Sequence, residues 1–208
     1  MSSSTSDEAY QGIREMLIRG EFRPGQRVSQ SRLARQLGCS TVPIVEAMRR
    51  LESEGLLVKQ PRKMAKVREL SAADIEGLYL LREGLEAVTA RLAAQRITDE
   101  QATELQRLSE AYEATWETES DADVAIHRYI AQCADCPLLS EELDRLMLIE
   151  RTAGGRSHDT TNRPGSAHIH RALVQAIVDR DADSAEYLMK KHIREGYRQA
   201  MREFKNDR

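Results

Sequence analysis

Short helical spacings bring imidazoles and a carboxylate within reach of one another. Asp123 and His127 stand at i and i+4 and share one helix face, which Ile130 and Ala134 continue toward an interior. His170 lies on the stripe of Leu173, Val174 and Ile177, and His192 continues the stripe of Ala185, Leu188 and Met189. Three inward histidines and one inward aspartate, on three helices, can meet in the core of a bundle. Burying four ionisable groups together is costly unless something pairs them. A divalent transition metal does so, and imidazole nitrogen with carboxylate oxygen suits Zn first, with Ni, Mn or Fe also compatible. The same residues have an enzymatic reading, a metal-dependent hydrolase in which the ion activates water. No general base or nucleophile stands at a useful spacing beside them, so binding is expected here and not turnover.

Other candidates are weaker. His168 falls about 200° around the helix from His170, on the side of Arg171, Ala172 and Gln175, and is expected to face outward. His158 sits in a polar stretch expected to be a solvated loop. Cys133-x-x-Cys136 has the spacing of half a zinc ribbon, but no second pair exists and Cys39 lies far away in the chain. Gly154-Gly155 lacks the strand–turn–helix setting of a phosphate loop. An odd cysteine count fits a reducing, cytoplasmic setting rather than a disulfide framework.

The elements that must position these groups are helical. Aromatic residues make up only 4% of the 208, against 31% charged, which argues against β-sandwiches and barrels. From Ser71 onward, helices are expected near 71–96, 98–118, 121–134, 137–152, 164–180 and 182–204. Ser71 with Asp74 and Thr98 with Gln101 read as N-terminal caps, and Pro137 opens a helix. No apolar run approaches the ~18 residues of a membrane span, and MSSSTSDEAY lacks the pattern of a secretory signal. No membrane partner is expected.

Charge divides the chain. Residues 1–70 hold 13 Lys/Arg against 8 Asp/Glu, whereas the remainder holds 18 against 26. A basic head on an acidic body implies that the head meets a polyanion. After a disordered tail at 1–7, helices are expected at about 8–19, 31–37 and 40–54, with Ser40 as an N-cap. Short strands at 56–58 and 65–67 would flank a basic turn. The segment 31–57 has the grammar of a helix-turn-helix: Leu33, Ala34 and Leu37 inward, a glycine turn at Gly38, then Ile44, Ala47, Met48 and Leu51 on one face. The opposite face carries Thr41, Val45 and Arg49 at i, i+4 and i+8, suited to a major groove. Arg32, Ser40, Arg50, Arg62, Lys63 and Lys66 are the expected contacts to the duplex beside them.

In these features the head resembles the GntR family of bacterial transcription regulators: Pro24-Gly25, Leu33-Ala34, Leu37-Gly38, Ser40, Pro43, Glu46-Ala47, Leu51-Glu52 and Glu54-Gly55-Leu56 fall in register. Thr41 and Val45 stand where that family usually has operator-reading arginines, and Met64 where it favours a wing glycine. The body, through LYLLREGLEAVTARLAA (78–94), Asp123-x-x-x-His127, Pro137-Leu138-Leu139, His170 with Ala176-Ile177, and His192, is similar to the FCD effector domain of the FadR-type branch. Cys136 replaces a common asparagine before Pro137. The resemblance implies a mainly α chain, with a winged helix-turn-helix over 8–70 and an all-helical metal- and effector-binding bundle over 71–208. It further implies Asp123, His127, His170 and His192 as metal ligands, and a cytoplasmic homodimer on a roughly palindromic operator. The effector would be a small carboxylate metabolite. Arg82 has two readings of equal weight, a contact to that carboxylate or a salt bridge to Glu86 one turn on. Thr41 and Val45 leave a further possibility, a metal or metabolite sensor with weakened DNA binding.

Overall fold

Apolar spacing builds the head as expected. In the computed structural model, which describes residues 5–60, 63–115, 120–153 and 166–206, α1 (Thr5–Ile18) turns Ala9, Tyr10, Ile13, Met16 and Leu17 inward. α2 (Gln30–Leu37) buries Leu33, and α3 (Thr41–Ser53) buries Ile44, Ala47, Met48 and Leu51. Both α1 and α2 pack on α3. The disordered tail expected through residue 7 gives way at its far end, because Thr5–Asp7 already belong to α1. Asp7 and Glu8 in the first turn complement the helix dipole, and Asp7 reaches Arg50 at 3.5 Å.

Two caps differ from expectation. Ser40 holds the N-cap position of α3 with extended backbone, yet its hydroxyl makes no capping hydrogen bond. A cap side chain accepts from the second or third N–H of its helix, and the third residue of α3 is Pro43, which has none. The working cap is Ser29 on α2, whose Oγ accepts the Arg32 N–H at 3.4 Å. Gly38 closes α2 in the left-handed region at φ 65°, its N–H returning to the Ala34 carbonyl.

The wing is larger than its sequence suggested. β1 (Leu57–Gln60) pairs antiparallel with β2 (Lys63–Val67), Leu57 opposite Val67 and Gln60 opposite Lys63, with a bulge between Val58 and Gln60. The turn before α2 joins the far side of β2. Val28 N–H donates to the Ala65 carbonyl at 2.8 Å, Val67 N–H to Gln26 at 2.9 Å, and Gly25 N–H to Val67 at 3.1 Å. Gly25 stands at φ 76° to make that turn. Residues 5–70 form one unit together with the end of α7 from Leu148.

The second unit is a helical bundle of α4 (Ala72–Arg96), α5 (Asp99–Thr115), α6 (Ser120–Cys133), α7 (Pro137–Ala153) up to Met147, α8 (Ser166–Val178) and α9 (Ala182–Asn206). Ser71 and Asp74 form a reciprocal capping box on α4, and Thr98 and Gln101 do the same for α5. α4 lies along α9, with α8 against both, while α5 packs on α6 and α8. Small residues let α4 in close: Ala87, Ala90, Ala93 and Ala94 are buried, and a Cβ at Gly196 would meet the Tyr79 ring at 3.2 Å. Arg194 clamps Glu83 at 2.9 and 2.6 Å, tying α9 to α4 at the surface. The expected polar loop, with Gly154, Gly155 and His158, lies outside the described residues. No described helix is long and apolar enough to cross a membrane.

Leu51 is fully buried under the helix-turn-helix, so Leu51→Ala is expected to destabilise the head by about 2–5 kcal/mol. Gly38→Ala, which forces a side chain into the left-handed region, should cost about 1–2 kcal/mol. Denaturant unfolding of the full chain, followed through the head's helices, measures both. Equal stability of Gly38→Ala and wild type would contradict the cap described here.

Candidate functional site

Three helices deliver the predicted ligands to one place in the bundle. α6 supplies Asp123 and His127 one turn apart, α8 supplies His170 beside the buried Leu173, Val174 and Ile177, and α9 supplies His192 beside the buried Ala185 and Met189. One donor atom from each of the four lies within 4.8 Å of the others. His127, His170 and His192 are buried, and Asp123 is largely so. His127 Nε2 faces His192 Nε2 at 3.0 Å, and His170 Nε2 approaches Asp123 Oδ1 at 3.1 Å. Tyr112 of α5 walls the cluster, its ring centroid 4.7 Å from that of His170. Arg171, Ala172 and Gln175 are exposed on the opposite side of α8, as expected. The His168 side chain lies outside the described residues.

A second carboxylate completes the group. Glu86, on α4, is fully buried between Arg82 and His127. Arg82 Nε donates to Oε1 at 2.7 Å, and Oε2 makes a short hydrogen bond with His127 Nδ1. Arg82 is itself buried, with its guanidinium 5.4 Å from the Tyr79 ring centroid. The salt-bridge reading of Arg82 is thus a contact the structure makes. Because a carboxylate only accepts, His127 carries a proton on Nδ1, which leaves Nε2 as the nitrogen that faces Asp123 and His192.

Electrostatics follow from burial and neighbours. Burial pushes the Glu86 carboxyl up, but Arg82 and His127 outweigh it and hold it below its ordinary value. Burial likewise opposes charge on His127, and Glu86 overcomes this and raises it. His192 is held well below the usual imidazole value, by burial first and then by His170 and His127. Asp123 is held well below the carboxylate range, because the contact with His170 and the fields of the three imidazoles exceed the cost of burial. The cluster therefore presents an ionised carboxylate and at least one neutral imidazole at neutral pH. Asp123 Oδ1 nevertheless makes no well-aligned hydrogen bond, although it is shielded from solvent. Convergent nitrogen lone pairs with an unsatisfied buried carboxylate oxygen fit a bound divalent cation.

In the head, Thr41 and Arg49 are exposed and Val45 is half-buried. All three line an open groove of about 690 Å³ that continues onto the wing at Met64 and Ala65. Arg50 is engaged within the module: its guanidinium lies 3.8 Å from the Tyr10 ring centroid and pairs with Glu54 at 3.3 Å. Arg32 is exposed with its guanidinium 5.8 Å from the Phe22 ring centroid, and Lys66 is half-buried on β2 opposite Val58. Lys63 opens β2, its side chain outside the described residues, as is all of Arg62. Cys133 is buried, with its thiol pushed up to about 11 by burial, which suits a structural role. Sequence reasoning paired Glu86 with Arg82 but missed its bond to His127, and missed Tyr112 altogether.

Removing one member of the buried Arg82–Glu86 pair leaves a charge without its counter-ion. Arg82→Ala is expected to destabilise the bundle by about 3–5 kcal/mol, read from denaturant unfolding. A loss within about 0.5 kcal/mol, the range of ordinary surface substitutions, would mean that Glu86 does not depend on Arg82.

Comparison with known proteins agrees with this architecture over nearly the whole chain. Residues 5–67 match the model of the bacterial regulatory proteins of the gntR family, and residues 77–195 match that of the FCD domain. The Nta operon transcriptional regulator of Aminobacter aminovorans is 29% identical over 89% of this chain and 90% of its own length. The uncharacterized HTH-type regulator YdhC of Bacillus subtilis is 35% identical over 50% of this chain and 46% of its own. Among solved structures, E. coli McbR/YncC superposes with a TM-score of 0.82 at 20% identity, covering 98% of this chain and 100% of that one, so the fold is shared from end to end. A winged helix-turn-helix in the GntR register, joined to an FCD bundle, is the make-up of a regulator and not of an enzyme: the chain belongs to the GntR family of bacterial DNA-binding transcription regulators.

Proposed function

We propose that the regulator senses a small carboxylate metabolite at a divalent metal centre held by Asp123, His127, His170 and His192. The proposal rests on one observation above all, the convergence of four donor atoms within 4.8 Å in a buried setting. Three nitrogens and one oxygen suit Zn best, with Ni, Mn or Fe compatible. A bound ion of this class would act as a Lewis acid toward a carboxylate oxygen. The residues of the chain do the rest: Glu86 fixes the tautomer of His127, Arg82 holds Glu86 ionised, and Tyr112 closes one wall. Arg82, joined to the cluster through Glu86 and His127, is the residue of this reading that would also meet an effector carboxylate.

Effector binding can change DNA affinity only by favouring one of two arrangements of the protein. A cytoplasmic homodimer that presents two heads to a roughly palindromic operator supplies such arrangements. Exposed Leu80, Leu81 and Val88 on α4 give the bundle an apolar surface suited to self-association. On the DNA, phosphate contacts from Arg32, Arg49, Lys63 and Lys66, together with Ser40, Arg62 and part of Arg50, would carry most of the affinity. Binding is then expected to fall steeply with salt.

Elemental analysis with native mass spectrometry tests the core of this proposal. Purified wild type should carry about one divalent ion per protomer, which His170→Ala loses along with thermal stability. Glu86→Ala should keep all four ligands yet bind the metal about 10–100-fold more weakly, measured by competition with a chelator. Equal metal content in wild type and His170→Ala would overturn the assignment.

A further inference from the structure

The first turns of α3 present valine where a base-reading helix ordinarily presents hydrogen-bonding groups. Val42 is 65% exposed, Thr41 is exposed and Val45 is half-buried, so none of them serves chiefly to fill the core beneath Ile44 and Met48. Across the groove, Met64 on β2 is 49% exposed, a second and separate apolar group on the same face of the module. Charged groups border this patch: Arg49 stands two turns along α3, Lys59 lines the groove from β1, and Glu52 lines it from the far end of α3. An exposed apolar patch with Arg49 and Lys59 beside it is suited to base edges, with the cations turned to the phosphates.

Base-pair edges in the major groove offer hydrogen-bond donors, acceptors and one apolar group, the 5-methyl of thymine. A valine side chain can hydrogen-bond to none of them, and covering a cytosine amine or a guanine carbonyl would strip it of water without return. Over thymine the same valine buries a methyl group. The recognition helix of such a module sets its N-terminal residues against base edges, which are Thr41, Val42 and Val45 here. We propose that Val42 and Val45, with the Thr41 methyl, read thymine 5-methyl groups, so that the operator carries thymines where relatives with arginines at positions 41 and 45 read guanine. Met64 extends the apolar contact from the wing. This rests on the family's DNA binding and adds the chemistry of discrimination to it.

The test uses full-length protein and a duplex selected by it from a random-sequence library, then resynthesised with deoxyuridine for thymidine. That change deletes only the methyl. Wild type is expected to bind the uracil duplex about fourfold more weakly for each contacted thymine, the equivalent of one buried methyl group. Val42→Ala and Val45→Ala, both outside the core, should fold normally and lose most of this preference, whereas Arg49→Ala should weaken both duplexes alike. Equal affinity of wild type for the thymine and uracil duplexes would overturn the inference while leaving DNA binding intact. Failure to enrich any sequence would overturn it together with the operator reading on which it rests.

Discussion

Burying charge in the middle of a helical bundle is the constraint on which the rest of this molecule depends. Glu86 is fully buried and is held ionised by Arg82 on one side and His127 on the other. Neither partner can be replaced by a group of another shape without leaving the carboxylate exposed to a low-dielectric interior. That requirement fixes the register of α4 against α6. The alanine-lined face of α4 and the contact of Gly196 with Tyr79 bring α9 near enough for His192 to meet His127. Packing and electrostatics thus meet in this bundle: small residues on α4 and α9 accompany the close approach of His192 to His127.

Much of this was legible in the sequence, for a definite physical reason. Asp123 and His127 on one face, His170 and His192 on apolar stripes, and Leu33, Ile44, Met48 and Leu51 in the head are all set by helical periodicity, which local spacing reveals. What escaped depends on contacts between distant residues. His127 and Glu86 are 41 positions apart, and no local pattern links them. Tyr112 reached the cluster only because α5 crosses α8. Ser40 makes no capping bond in a helix whose third residue, Pro43, lacks one of the two N–H groups that a cap side chain accepts from. The pairing of the turn at 25–28 with β2 was equally invisible, because those few residues carry no alternation of their own.

Both halves of the chain depart from the usual partition of polar and apolar groups. In the bundle, polar groups are drawn inward and must be paired there. In the head, apolar side chains stand exposed at Val42 and Met64, as they do on the bundle at Leu80, Leu81 and Val88 of α4. Both departures from ordinary partition fall at places where a second molecule can compensate. They are therefore where function is to be sought, independently of any family likeness.

The hydrogen bonds between the turn at 25–28 and β2 bear on how this reader can diverge. Val67 stands opposite Leu57 on one side and is hydrogen-bonded to Gly25 and Gln26 on the other, and the Ala65 carbonyl accepts from Val28. A change of backbone at either position would disturb α2 and the hairpin at once. Met64 makes none of these bonds to the turn and projects outward. Evolutionary drift in operator preference is then cheapest at Met64 and on the outer face of α3, while the strand behind them stays constant. Closely similar regulators would come to recognise different promoters through a few exchanges of side chains, with the scaffold that presents them conserved.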